Sequence, residues 1–420
     1  MIAEFTVENY RSFKERRTLS LVSTKSNEMS DSNTIGVNEK IRSLKSAVIY
    51  GANASGKSNL FYGLRFFLEF AVTSGPQTQI GDLIQVEPFA LSRQTEAAPS
   101  AFEIIFYIPD DHEKMIRYRY GFSAGVEKVE YEYLFAVNNV REVPLFTRRG
   151  QEIESTANFR EGARGRSSVR ENCTFLSVCA QNNGEISARI IAYFRRIQVL
   201  SGLGSQRIIP QEYFGDPAYQ KRTIDFLKFA DTQIIDMKME RIPVIAGESP
   251  GLENRIGYRN RILFGHTHYD DEQADGQRYF SLDDESAGSR KLFLYSGPVL
   301  EALENGLPLF IDEFDSLLHP LIIESIIKLF NSPLTNAKNA QLVISCHAVN
   351  ILTNKLFRRD QVWFCEKDQY GATDLYSLAE YKEPVRNDAV FGKSYLQGKY
   401  GAIPYIGEID LQIGNKSNGA

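Results

Sequence analysis

Residues 49–60 read IYGANASGKSNL. A short apolar run (Val48, Ile49, Tyr50) leads into Gly51, and Gly56-Lys57-Ser58 completes the spacing G-x-x-x-x-G-K-[ST]. Glycines at those positions let backbone N–H groups turn inward around an anion, and a following helix adds its positive end. The reading is a phosphate loop. Gly51, Asn53, Ser55, Gly56, Lys57, Ser58 and Asn59 are the expected nucleotide contacts, with Lys57 on the β- and γ-phosphates of ATP and the Ser58 hydroxyl on Mg²⁺.

Working outward, the helix expected after the loop (LFYGLRFFLEFAV) is apolar nearly all round, which requires burial on several sides. Residues 102–146 hold short alternating runs, FEIIFYI, IRYRYGFS and VEYEYLFAV, broken by turn clusters, and predict an antiparallel meander. Helical spacing returns in ISARIIAYFRRI and AYQKRTIDFLKFAD, a further hairpin follows, and a long helix is expected over 287–304, kinked or broken at Gly297-Pro298. Strands LPLFI, QLVIS and QVWFC then alternate with helices, the pattern of a parallel, helix-covered sheet. The expected organisation is an N-terminal lobe over 1–150, a mostly helical insertion over 151–255 and a C-terminal lobe over 256–420.

Three downstream features suit the same chemistry. LPLFIDEFDSLLHP (307–320) is a strand ending in Asp312-Glu313, expected beside the phosphate loop, with Asp312 on Mg²⁺ and Glu313 as the general base for a water. Before it, LDDESAGSRKL opens a helix with the cap Ser286 and the small residues Gly288 and Ser289, which reads either as an anion site or as a helix cap alone. QLVISCH (341–347) ends in His347, and Asp315 stands in the loop after the Asp-Glu pair.

The order phosphate loop, Ser-x-Gly-Ser, Asp-Glu strand, Asp315, His347 resembles that of ABC-type ATPases. There the signature helix reaches across a dimer to the opposing γ-phosphate, and the histidine is a switch on that phosphate. The stretch Asn9-Tyr10-Arg11-Ser12-Phe13 with GANASGKSN resembles the heads of RecF and SMC proteins. Together with VEPFAL, RENCTFLSVCAQNN, ESAGSRK and the tail from DQVWFCEKD to YLQGKYGAIPYI, the chain is similar to the RloA and AbiL-type ATPases of phage-defence loci. The resemblance implies an α/β, ABC-type P-loop ATPase head with an antiparallel β subdomain and a helical insertion. It also implies Arg11 as a nucleotide contact, a homodimer or higher oligomer that hydrolyses ATP, and a TOPRIM-type (RloB-like) nuclease partner in anti-phage defence. The alternative implied function is a RecF/SMC-like repair ATPase that clamps DNA. Two departures stand out: Ser289 where the family more often has Thr, and no placed Q-loop glutamine, Gln85 and Gln94 being candidates by position alone.

Other signals bound the reading. A formal net charge of −5 supplies no global basic field, so nucleic acid stays open as a partner only through a local patch. Arg160, Arg164, Arg166 and Arg170 form such a run, which reads first as a solvated loop and otherwise as a contact for nucleic acid or a partner's acidic face. Four cysteines, Cys173, Cys179, Cys346 and Cys365, sit in apolar stretches without metal-ligand spacing and read as buried thiols of a reducing compartment. No run approaches the roughly 18 apolar residues of a membrane span, and the expectation is a cytoplasmic protein with no membrane partner. His266 and His268 share a strand face without a third ligand in view. VWFCEKD imitates the first strand of a TOPRIM domain, but Glu366-Lys367-Asp368 reads as a strand end and turn. Tyr395, Tyr400 and Tyr405, with Lys393 and Lys399, mark a C-terminal segment that either docks a partner or packs on the core.

Overall fold

The computed structural model describes residues 1–37, 41–110, 112–138, 141–202, 216–230, 232–245, 256–381 and 391–404. The phosphate-loop strand Ser46–Tyr50 is buried along its whole length, as a strand covered on both faces must be. It pairs in parallel with Gln341–Ser345 on one side and Val362–Lys367 on the other. Pro308–Asp312 lies beyond Gln341–Ser345, then Gln198–Ser201, while Thr373–Ser377 closes the far edge antiparallel. The Asp-Glu strand is therefore one strand removed from the phosphate loop rather than beside it, because the strand leading to His347 is inserted between them. Gln198–Ser201, inside the stretch read as a helical insertion, is an edge strand of this six-stranded sheet.

A second sheet of seven antiparallel strands contains the expected meander, Ser100–Pro109 to Arg141–Arg149, and extends through Ile2–Glu8 to Arg17–Ser20. The helix Lys57–Gln77 is sandwiched between the two sheets, which explains its lack of a polar face. Phe67 stacks on Phe122 of the antiparallel sheet at 5.3 Å and meets Phe5 and Phe194, while Phe61 makes an edge contact with Phe310 of the parallel sheet. Each such phenyl taken out of water contributes about 1.5–3 kcal/mol. Along the phosphate-loop strand, Ala47 and Ile49 join this core, and Val48 and Tyr50 face a second core on the opposite side.

The opposite core holds the helix Ala287–Asn305, which runs unbroken through Gly297-Pro298. The expected break does not occur. Leu292, Phe293, Tyr295, Val299 and Ala302 are all buried along it, and their packing outweighs the one backbone hydrogen bond that proline removes. Tyr395 and Tyr400 are also buried here, around Phe364 at 5.5 and 5.7 Å, so the C-terminal segment packs on the core at those positions. Tyr405 lies outside the described residues. All four cysteines are free and buried.

One polar knot ties the antiparallel sheet to the helices beside it. Glu132 and Arg148 are wholly buried. The Glu132 carboxylate accepts from the backbone N–H groups of Phe175 (2.6 Å) and Leu176 (3.0 Å) and from the Tyr120 hydroxyl. The Arg148 guanidinium donates to Glu132 and to the carbonyls of Gly150, Cys173 and Arg170. Removing one member leaves the other charge buried without compensation. Arg148→Met should therefore lower unfolding free energy in urea by about 3–5 kcal/mol. A loss under roughly 1 kcal/mol, the range of an exposed ion pair, would contradict this account of the knot.

Candidate functional site

Five parallel strands deliver their C-terminal ends to one edge of the sheet, and the site is built there. The phosphate loop turns between Tyr50 and the helix that starts at Lys57. Two of its glycines are sterically required. A Cβ on Gly51 would come within 2.3 Å of the Cys365 carbonyl oxygen, and Gly56 has φ 106° with a Cβ position 2.1 Å from Thr373 Oγ1. The loop is held from behind. Thr373 Oγ1 donates to the Ser55 carbonyl (2.9 Å) and accepts from the Ser12 hydroxyl (2.8 Å), and the Asn59 amide donates to the same Ser12 hydroxyl (2.7 Å).

A cleft of about 330 Å³ opens over the loop, lined by Asn53 to Asn59 together with Glu313, His347 and Lys367. The Lys57 ammonium donates back to the carbonyls of Gly51 (2.8 Å) and Ala52 (3.0 Å), and burial lowers its pKa, which Asp312 and Glu313 partly oppose. Ser345, at the end of the inserted strand, joins the two acidic residues: its hydroxyl donates to Asp312 Oδ1 at 2.5 Å and accepts from the Glu313 N–H at 2.7 Å. Glu313 is left-handed (φ 51°), which turns its side chain out of the strand register and toward the cleft. Asp315 accepts from the N–H groups of His347 and Ala348, both at 2.8 Å, and so fixes the turn that presents the imidazole.

The structure brings Asn53, Ser55, Gly56, Lys57, Ser58, Asn59, Glu313 and His347 into one cleft. Gly51 and Asp312 lie beneath it, and Asp315 acts on the His347 backbone. Arg11 does not line the cleft. Its guanidinium pairs with Glu87 at 2.7 Å and lies over the Tyr62 ring. Ser286, Gly288 and Ser289 are elsewhere on the surface: Ser286 caps its helix by accepting from Ser289 N (3.0 Å), and Gly288 approaches the Leu317 carbonyl. The Gln85 amide donates to the nearby Leu83 carbonyl. Ser345, Thr373 and Lys367 were not singled out in the sequence. Ser345 and Thr373 act through hydrogen bonds between distant segments, which no local spacing encodes.

Other candidates have structural employment. Glu366 accepts from the Tyr376 hydroxyl, and Asp368 accepts from the N–H groups of Tyr370 and Ala372, closing a turn. His266 pairs with Glu285, and among the described residues no three His, Cys, Asp or Glu side chains are grouped as metal ligands. Arg170 donates to the Gly75 carbonyl, whereas Arg160, Arg164 and Arg166 are exposed.

The loop's fit to a polyphosphate can be judged on its own atoms. Ser55 Oγ is buried inside the loop with no partner among the described residues, and the Gly51 and Gly56 positions keep the cradle open. Ser58 and Asp312 supply the hydroxyl and carboxylate oxygens that Mg²⁺ favours. The residues fit both groups.

Residues 46–353 match the family described as "AAA domain, putative AbiEii toxin, Type IV TA system". The chain belongs to that family. It is an α/β protein with a P-loop ATPase head, and the phosphate loop, Asp312-Glu313 and His347 all fall within the matched span. Among solved structures the chain is similar to one described as "Crystal structure of the SmcHead bound to the C-winged helix domain of ScpA", at 11% identity and a TM-score of 0.42, covering 90% of this chain and 97% of that one. No curated protein matches it in sequence. Among the described residues no helix is long and apolar enough to cross a membrane.

The His347 ring has its pKa pushed below the ordinary imidazole value, first by partial burial and then by the Lys57 ammonium. The unfolded chain therefore takes up this proton first, and the group costs stability as pH falls from the ordinary range through the depressed value. An NMR titration should place His347 below the usual 6.5, and His347→Gln should flatten that part of the stability profile. A pKa at or above the ordinary value would contradict the geometry.

Proposed function

We propose that this AAA-family chain binds ATP with Mg²⁺ and hydrolyses it in a head-to-tail homodimer, passing the resulting change of shape to a partner effector. The observation that carries the reading is the cleft itself, where a phosphate loop, a carboxylate freed from strand geometry and a neutral imidazole face one another. Lys57 exchanges its two loop carbonyls for phosphate oxygens when nucleotide enters. Ser58 and Asp312 would hold Mg²⁺, which supplies charge neutralisation at the phosphates. Glu313 accepts the proton of the attacking water, and His347, uncharged near neutral pH, positions the water or a γ-phosphate oxygen. Ser286 and Ala287 are exposed, Gly288 and Ser289 half-buried, and none of them lines its own chain's cleft, which suits this helix end to complete the cleft of a second copy.

The partner is the more distant part of the reading. The resemblance to RloA and AbiL-type ATPases supports a TOPRIM-type nuclease and a role in anti-phage defence, and the family's description as a putative AbiEii toxin is in keeping with it. The Glu366-Asp368 pair, occupied in a hairpin turn, gives this chain no nuclease centre of its own there.

Two substitutions separate binding from chemistry. Lys57→Ala should weaken ATP binding by about 2 kcal/mol or more, the scale of a lost charge-assisted contact, and abolish turnover. Glu313→Gln should keep ATP affinity while turnover falls at least about a hundredfold. Single-turnover hydrolysis and equilibrium binding measure both. Parental turnover in Glu313→Gln would remove Glu313 as the base.

A further inference from the structure

Lys367 is a cation of the cleft wall that the phosphate-loop spacing does not include. It sits at the C-terminal end of Val362–Lys367, the strand that pairs in parallel with the phosphate-loop strand through Phe364 and Tyr50. Three residues past that pair, its side chain lines the cleft with Asn53, Glu313 and His347.

Glu313 shares the cleft with it, and the carboxylates on or beside the hairpin itself have other partners. Glu366 holds the Tyr376 hydroxyl, Asp368 holds two backbone N–H groups of the turn, and Asp374 pairs with Arg17 at 2.6 Å. No ion pair forms on Lys367 among the described residues. An exposed lysine is ordinarily free to wander, but the backbone carrying this one is fixed. Asp368 N–H and the Ala372 carbonyl close the turn at 2.9 Å, and the returning strand locks to the loop through Thr373 Oγ1 and the Ser55 carbonyl. Hairpin and phosphate loop therefore move as one piece, and the ammonium stays within reach of whatever anion the loop holds.

Resting on the ATP reading above, we propose that Lys367 contacts the terminal phosphate of the nucleotide, as a second cation supplied by the same chain. Its neighbours in the cleft place it there: Glu313 and His347 act at the terminal phosphate in the proposed reaction. Lys57 approaches along the loop axis, and Lys367 approaches from the flanking strand. Together they offset charge that one ammonium leaves uncompensated. Lys367 thereby distinguishes ATP from ADP, a selection that Lys57, spanning β- and γ-phosphates, makes less sharply.

The test compares MgATP and MgADP affinities of the full chain by calorimetry, for the parent, Lys367→Gln and Lys367→Arg, with urea unfolding as the check on folding. The expected result is about a tenfold loss of MgATP affinity in Lys367→Gln, the factor given by one charge-assisted contact, with MgADP changed less than about threefold and Lys367→Arg restoring most of the loss. Unchanged MgATP affinity, or equal losses for MgATP and MgADP, would overturn the proposal. Failure of the parent chain to bind MgATP at all would instead bring down the ATP reading on which it rests.

Discussion

Parallel pairing around one buried five-residue strand is the constraint on which the structure depends. Ser46–Tyr50 runs level with Gln341–Ser345, that strand with Pro308–Asp312, and Val362–Lys367 with the first from the other side. Parallel strands in register end at the same edge, so Gly51, Asp312, His347 and Lys367, far apart in sequence, emerge together. The strand has no polar face to offer, and covering both sides demands the sandwiched helix Lys57–Gln77 on one face and the helix Ala287–Asn305 in the core of the other. The antiparallel sheet follows from the first of these demands, because it supplies the aromatic surface that Phe67 packs against.

The inserted strand has a chemical consequence. Gln341–Ser345 lies between the loop strand and the Asp-Glu strand, and Ser345 at its end joins the two acidic residues. One hydroxyl both holds Asp312 and fixes the backbone of Glu313. The left-handed turn at Glu313 and the Asp315 bonds to the His347 backbone then set these two side chains at the cleft. A network of this kind preorganises charge with few mobile groups, which is what electrostatic catalysis requires.

Much of the fold was legible because its signals are local: a phosphate loop between strand and helix, period-two runs in the meander, acidic residues closing an apolar strand. What escaped was decided by tertiary contacts. Pro298 sits inside a helix because its neighbours are buried, not because the local sequence favours it. Gln198–Ser201 is too short to declare itself as a sheet strand among helices, and only pairing with Leu309–Asp312 makes it one. Arg11 reads as a nucleotide contact in NYRSF; its guanidinium pairs with Glu87 and lies over Tyr62, contacts that no local spacing encodes. Thr373 works by bonding segments hundreds of residues apart and Ser345 by bonding the matching ends of neighbouring parallel strands, and a spacing rule has no access to either.

The Ser286–Ser289 helix end is not part of the wall of its own chain's cleft. That separation is the physical case for two copies sharing their sites. The measurement that tests it most directly is sedimentation of Glu313→Gln with MgATP and with MgADP, bound nucleotide being quantified in the same samples. The account predicts twice the chain mass of 47.6 kDa with MgATP and the single-chain mass with MgADP. A single-chain mass with MgATP fully bound would contradict it.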